Sequence, residues 1–171
     1  MTKKTDQAKR VYLSGGMEYA LDEGRDWRQS LQEWLETELG WTVFNPNRES
    51  DIFFQSHYPS LDVRALKMED PLRYAEIVRH VVEVDCTEIA TRCDAVLCYW
   101  DESAMMGAGT KGEVTIAKYF GKPVYMVTSI NPRKIPGWIL ACTTALFPTF
   151  EELRSFLRAS NSDHHTSGSF G

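Results

Sequence analysis

At 171 residues, 43% of them hydrophobic and 25% charged, the chain has the size and make-up of one globular domain with a real core. No apolar run reaches the ~20 residues of a membrane-spanning helix, so no membrane partner is expected. A formal net charge of −5 is the wrong sign for a broad nucleic-acid footprint, so no nucleic-acid polymer is expected, although a small phosphorylated ligand held by a few local donors is compatible with it.

The start, "MTKKTDQAKR", lacks the apolar region of a signal peptide, and residues 1–9 read as a flexible N-terminus. "RVYLSGG" (10–16) is a short apolar run ended by two glycines, the pattern of a buried strand entering a tight loop. "DWRQSLQEWLETELG" (26–40) carries Trp27, Leu31, Trp34, Leu35 and Leu39 at helical spacing with Gly40 as its stop. "WTVFNPN" (41–47) reads as a second strand closed by Asn-Pro. Residues 48–71, polar and aromatic with Pro59 and Pro71, read as a long connection of the kind that forms lids or binding loops.

A helical stretch follows over roughly 72–92. Valines 81, 82 and 84 weaken its middle, and Asp85 with Glu88 has capping-box spacing, so a break near Asp85 is expected. "DAVLCYW" (94–100) is the clearest buried strand. Then come the loop "DESAMMGAG", a helix over 111–120, the strand "KPVYMVT", a last apolar segment and a closing helix from near Thr149. The tail, 161–171, is polar and rich in small residues and reads as disordered. Residues 10–160 form one domain.

Short apolar strands alternating with helices specify an α/β fold: a five-stranded parallel sheet in a flavodoxin-like (Rossmann-like) three-layer sandwich. In that strand order the ends of the first and third strands flank the point where ligands bind. Here those ends are "SGGM" and "YWDESAMMGAG", so the two glycine-rich loops are expected to converge.

Gly107 and Gly112 have the spacing of a phosphate-binding P-loop, but Glu113 and Val114 stand where Lys and Ser or Thr belong; that reading fails. "SGGMEY" lacks the GxGxxG dinucleotide fingerprint. A carboxylate at a helix start stays ionised, because the dipole and free N–H groups lower its pKa. An ionised carboxylate is a competent nucleophile toward an anomeric carbon, usually with a second carboxyl group as acid. Asp85, Asp94 and Asp101 are the candidates for that partner. Each has a plainer reading, as a helix cap, a strand start or a strand exit, and so has Glu113 as a helix-start acid. The four cysteines (Cys86, Cys93, Cys98, Cys142) show no CxxC spacing and read as reduced thiols of a cytoplasmic protein. With His57, His80, His164 and His165 scattered, no metal is suggested and no cofactor is expected.

Together the segments "VYLSGGM", "DWRQSL", "GWTVFNPN", "VEVDCTEIATRCDAVLCYW" and "GAGTKGEVTIAKYFGKPVYMV", spanning roughly 10–130, resemble the nucleoside 2-deoxyribosyltransferase-like family. That family includes deoxyribosyltransferases and nucleotide N-glycosidases. The GxGTxxE element is also similar to the loop of lysine-decarboxylase-like phosphoribohydrolases. The resemblance implies cleavage or transfer at the N-glycosidic bond of a nucleoside or nucleotide. Glu113 would be the nucleophile and Asp85 would assist at the base. Gly15 and Gly16 would lie near base and sugar, and Gly109 and Thr110 would present backbone N–H groups to sugar or phosphate oxygens; beside them Met17 is a candidate to pack on the base, Lys111 to meet a 5′-phosphate, and Gly107 and Asp101 to line the substrate site. It also implies a homo-oligomer whose neighbour completes the pocket near Ser129 and Asn131. Tyr19, Trp27 and Trp100 are further candidates to pack on the base, and Arg25 and Arg28 to meet a 5′-phosphate. The Asp85-to-Asp94 interval is one residue longer than the family's usual spacing, and 103–112 carries no acid ahead of the nucleophile. Two alternatives stand beside transfer: strict hydrolysis of a nucleotide or NAD, and a catalytically silent nucleotide-binding sensor.

Overall fold

The computed structural model describes residues 8–166. Its five strands are β1 (Arg10–Gly15), β2 (Thr42–Phe44), β3 (Ala95–Tyr99), β4 (Val124–Val127) and β5 (Ala145–Phe147). All pair in parallel, in the order β2-β1-β3-β4-β5. This is the expected flavodoxin-like α/β sheet, with the order reversing between β1 and β3.

Successive strand residues face opposite sides of a sheet, and here that alternation builds two cores. Val11, Leu13, Ala95, Leu97 and Val127 pack beneath Leu31 and Leu35 of α1 (Arg25–Glu38) and Leu153 and Leu157 of α8 (Phe150–Thr166). On the other face Tyr12, Val96, Cys98, Val124 and Met126 pack with Val114 and Ala117 of α6 (Gly109–Tyr119) and Ile139 and Cys142 of α7 (Gly137–Cys142). Tyr12 and Ser14, two apart on β1, therefore look toward α6.

The segment 48–71 is not a long irregular lid. It folds into most of α2 (Pro46–His57) and all of α3 (Val63–Glu69), and its last residue opens α4 (Pro71–Thr87). Each start has a local cause: Asn45 accepts from Asn47 N (3.1 Å), Asp62 from Arg64 N (3.1 Å) and Ala65 N (2.9 Å), and Asp70 from Arg73 N (3.0 Å). Pro46 and Pro71 occupy first-turn positions, where the missing N–H costs nothing.

No break occurs near Asp85. α4 passes through it and widens into a π-helical turn, Glu88–Arg92, closed by Cys93 N donating to Glu88 O (3.0 Å). The capping box does not form. The Glu88 side chain is instead buried, paired with Arg10 and with Arg92 (3.3 Å). The loop after β3 contains a short helix, α5 (Glu102–Met106). The helix expected over 111–120 begins two residues earlier. α8 continues to Thr166, through the first part of the segment read as a disordered tail. The remainder of that tail and residues 1–7 of the flexible N-terminus lie outside the described residues.

Candidate functional site

α6 buries Thr110, Val114 and Ala117, a stripe at helical spacing that turns one face onto the sheet. Glu113 stands on that face, between Thr110 and Ala117 at i+3 and i−4. Its carboxylate meets the two polar groups of β1 on the same side. The Tyr12 hydroxyl donates to Oε1 (2.9 Å) and the Ser14 hydroxyl to Oε2 (2.5 Å). Each oxygen thus has its own donor, which fixes the plane of the carboxylate.

Glu113 is not a helix-start acid. It is the fifth residue of α6, past the first turn, where the dipole effect has faded. Its pKa is raised rather than lowered: burial favours the neutral form, against the hydrogen bond from Ser14, the Arg28 charge and the hydrogen bond from Tyr12. The expectation of an acid ionised by the helix start is corrected accordingly. Beneath it, Tyr12 is fully buried and stacked on Phe44 (centroids 5.2 Å apart), so its hydroxyl has little freedom to leave.

Asp85 comes to the same place from α4. Its carboxyl is half-buried and its pKa is pushed up to about 7 by burial and by the Glu113 charge, with the Tyr12 hydroxyl and Arg28 pulling the other way. Two carboxyl groups and one phenol therefore share one electrostatic environment, and a raised carboxyl beside a second one is the arrangement that separates acid from nucleophile.

The other expected residues divide. Asp101 is occupied as the cap of α5, accepting from Ala104 N (2.9 Å) and the Ser103 hydroxyl (2.6 Å). Asp94 accepts from Arg10 N (2.8 Å) at the N-terminal end of β1, the opposite end of the strand from the Gly15–Gly16 loop. Of the three candidate acids, Asp85 feels the Glu113 charge, which adds to burial in raising its pKa. Gly15 and Gly16 are required by packing. A Cβ on Gly15 would stand 2.7 Å from Trp27 Cζ2, and one on Gly16 would stand 1.9 Å from Ser103 Oγ. Met17 is half-buried in the turn that follows, its carbonyl accepting from Ala20 N (3.2 Å). Gly107 ends α5, while Gly109 is exposed with open space around it and Thr110 is buried. Lys111 donates to Met105 O (2.7 Å) and so ties α6 to α5.

The candidate phosphate partners are engaged elsewhere. Arg25 pairs with Asp51 and Glu23. Arg28, 1% exposed, donates to the carbonyls of Leu13, Glu23, Gly24 and Gly15 and to Asn47 Oδ1. The indoles are packed against the protein's own rings and core. Trp100 is fully buried, and Trp27 packs on Phe150 and Tyr99 on the α1 and α8 face. Tyr19 is 49% exposed. Asn131 caps a short turn through Arg133 N (3.0 Å), and Ser129 is exposed.

Tyr12 and Ser14 were legible only as strand residues, though their alternation at the end of a switch-point strand is the signal that finds them. Among the described residues no three His, Cys, Asp or Glu side chains are placed to hold a metal ion, and no helix is long and apolar enough to cross a membrane. No protein-family model matches the chain, and no curated protein matches it.

Proposed function

We propose that this protein cleaves or transfers at the N-glycosidic bond of a nucleoside or nucleotide, with Glu113 as nucleophile and Asp85 as proton donor. One observation carries the reading: Asp85, raised to about 7, shares the surroundings of a Glu113 carboxylate whose two oxygens are held by Tyr12 and Ser14. In the first step a Glu113 oxygen bonds to C1′ as the C1′–N bond breaks, and the departing nitrogen takes the Asp85 proton. In the second, a base nitrogen or a water oxygen displaces Glu113 from C1′, and Asp85 takes the proton released. Tyr12 and Ser14 keep the nucleophile in register through both steps. A homo-oligomer acting on a small molecule accompanies this reading on the strength of the sequence resemblance, and a cytoplasmic location on the spacing of the four cysteines.

The engagement of both Glu113 oxygens favours a second reading, a nucleotide sensor in which the carboxylate is a structural acceptor. Base release decides between them. Purified protein incubated with ribo- and deoxyribonucleosides, their monophosphates and NAD, with and without a free-base acceptor, is expected to yield free or exchanged base by chromatography. Glu113→Gln is expected to yield none. Full release by a folded Glu113→Gln variant would remove the nucleophile assignment, and an acceptor-dependent product separates transfer from hydrolysis.

A further inference from the structure

Between α2 and α4 lies a cavity of about 220 Å³, walled by Phe53, His80 and Val84 and edged by Glu49, Ser50 and Asp85. Asp85 is the residue common to this cavity and to the Glu113 cluster, so whatever fills the cavity abuts the proposed proton donor. The volume is below the ~300–1,000 Å³ of pockets that take drug-sized ligands; it suits one flat ring system rather than a whole nucleotide. Phe53 and His80 stack on each other (centroids 4.6 Å, 27° between planes) and present an aromatic wall.

The polar edge sets what that ring must carry. Among the described residues, neither the Glu49 carboxylate nor the Ser50 hydroxyl has a hydrogen-bond partner. No Lys or Arg lines the cavity. The arginines that sense its carboxylates are committed, Arg10 to Glu88 and Arg28 to backbone carbonyls. A phosphate there would face the Glu49 carboxylate with no Lys or Arg on the wall to offset it and is disfavoured. A group with N–H donors completes the site: a carboxylate accepts from an exocyclic amine, and the adjacent hydroxyl serves the neighbouring ring nitrogen.

We infer that this cavity seats the departing base and that Glu49 selects bases bearing an exocyclic amino group over their oxo counterparts. The inference rests on the glycosidic reading of Glu113 and Asp85 for its "departing", but its binding test does not. The full chain is dialysed against cytosine, uracil, adenine and hypoxanthine, two pairs that differ by amino for oxo. The amino member of each pair is expected to bind at least about tenfold more tightly, the discrimination typical of one charged hydrogen bond. Glu49→Gln, whose amide both donates and accepts, is expected to bring that ratio below about threefold. Phe53→Ala is expected to weaken both members alike and leave the ratio standing. No binding up to about 5 mM, no preference, a preference indifferent to Glu49→Gln, or affinities unchanged in Phe53→Ala overturns the inference. Base release with no Glu49-dependent preference leaves the glycosidic reading intact and removes this one. The preference without any base release does the reverse.

Discussion

The Tyr12 hydroxyl donates to Glu113 Oε1 at 2.9 Å, joining the middle of β1 to the second turn of α6 across 101 positions of sequence. Tyr12 is fully buried, so the bond is short of competing water, and it holds one oxygen of the proposed nucleophile. Tyr12→Phe keeps the ring on Phe44 and removes only this donor. We expect kcat for base release to fall by about 10–100-fold with KM changed less than threefold, as for a positioning donor. Folding stability should fall by about 1–2 kcal/mol. Steady-state kinetics with urea unfolding check both. A KM effect alone would assign Tyr12 to ground-state binding.

Ser14→Ala removes the other donor, the 2.5 Å bond to Oε2. Because Ser14 leads the interactions that hold the Glu113 pKa down against burial, its loss should raise that pKa further. The acid limb of the base-release profile is expected to move to higher pH. An unmoved limb would mean that Glu113 does not set it.

Asp85 predicts the alkaline limb. A proton donor with a pKa of about 7 is lost as pH rises through 7, so base release should fall there, and Asp85→Asn should abolish the limb along with most of the rate. Glu113 and Glu49 raise this pKa, while Tyr12 and Arg28 lower it. Stability follows the same proton. The folded pKa lies above the ordinary 3.8, so the Asp85 contribution is fully present below that value and is lost as pH rises from about 4 through about 7. Asp85→Asn should therefore gain in melting temperature relative to wild type between pH 5 and pH 8, measured by thermal scans.

Arg28 tests the frame rather than the chemistry. Its guanidinium serves four carbonyls and Asn47 Oδ1, tying the end of β1 to the start of α1 and to α2. Arg28→Met removes those bonds, and of the acceptors Glu23 O keeps the Asn47 amide (3.1 Å). We expect a loss of about 3–5 kcal/mol, read from the urea midpoint. A loss under 1 kcal/mol would show that water replaces the guanidinium.

The glycines separate in the same assay. A Cβ on Gly16 would strike Ser103 Oγ at 1.9 Å and Ala104 N at 2.8 Å, whereas one on Gly112 meets open space. Gly16→Ala should cost about 1–3 kcal/mol, and Gly112→Ala, within α6, should gain about 0.5–1 kcal/mol.

Much of the fold was readable along the chain. Four apolar runs became β1 to β4, and the last apolar segment divided into α7 and β5, because the strands of a parallel sheet covered by helices are short and apolar and alternate with them. The misreadings were local. Asn45-Pro46 and Asp70-Pro71 look like breaks, yet a capping side chain followed by proline is also how a helix begins; the first turned a supposed lid into α2. Glu88 looked like the far half of a capping box until Arg10, distant in sequence, took its carboxylate.

The sequence by itself determined the sheet, its order and the arrival of Glu113 beside a glycine-rich loop, because periodicity and turn chemistry act over a few residues. Only the tertiary structure decided which acids matter. Asp85, Asp94 and Asp101 are alike as letters. Their roles depend on whether a backbone N–H captures the carboxylate, as for Asp94 and Asp101, or burial beside Glu113 raises it, as for Asp85. The Glu113 pKa depends likewise on desolvation and on donors 99 and 101 positions away. Those effects fall off with distance in space, and distance in space is set by the fold.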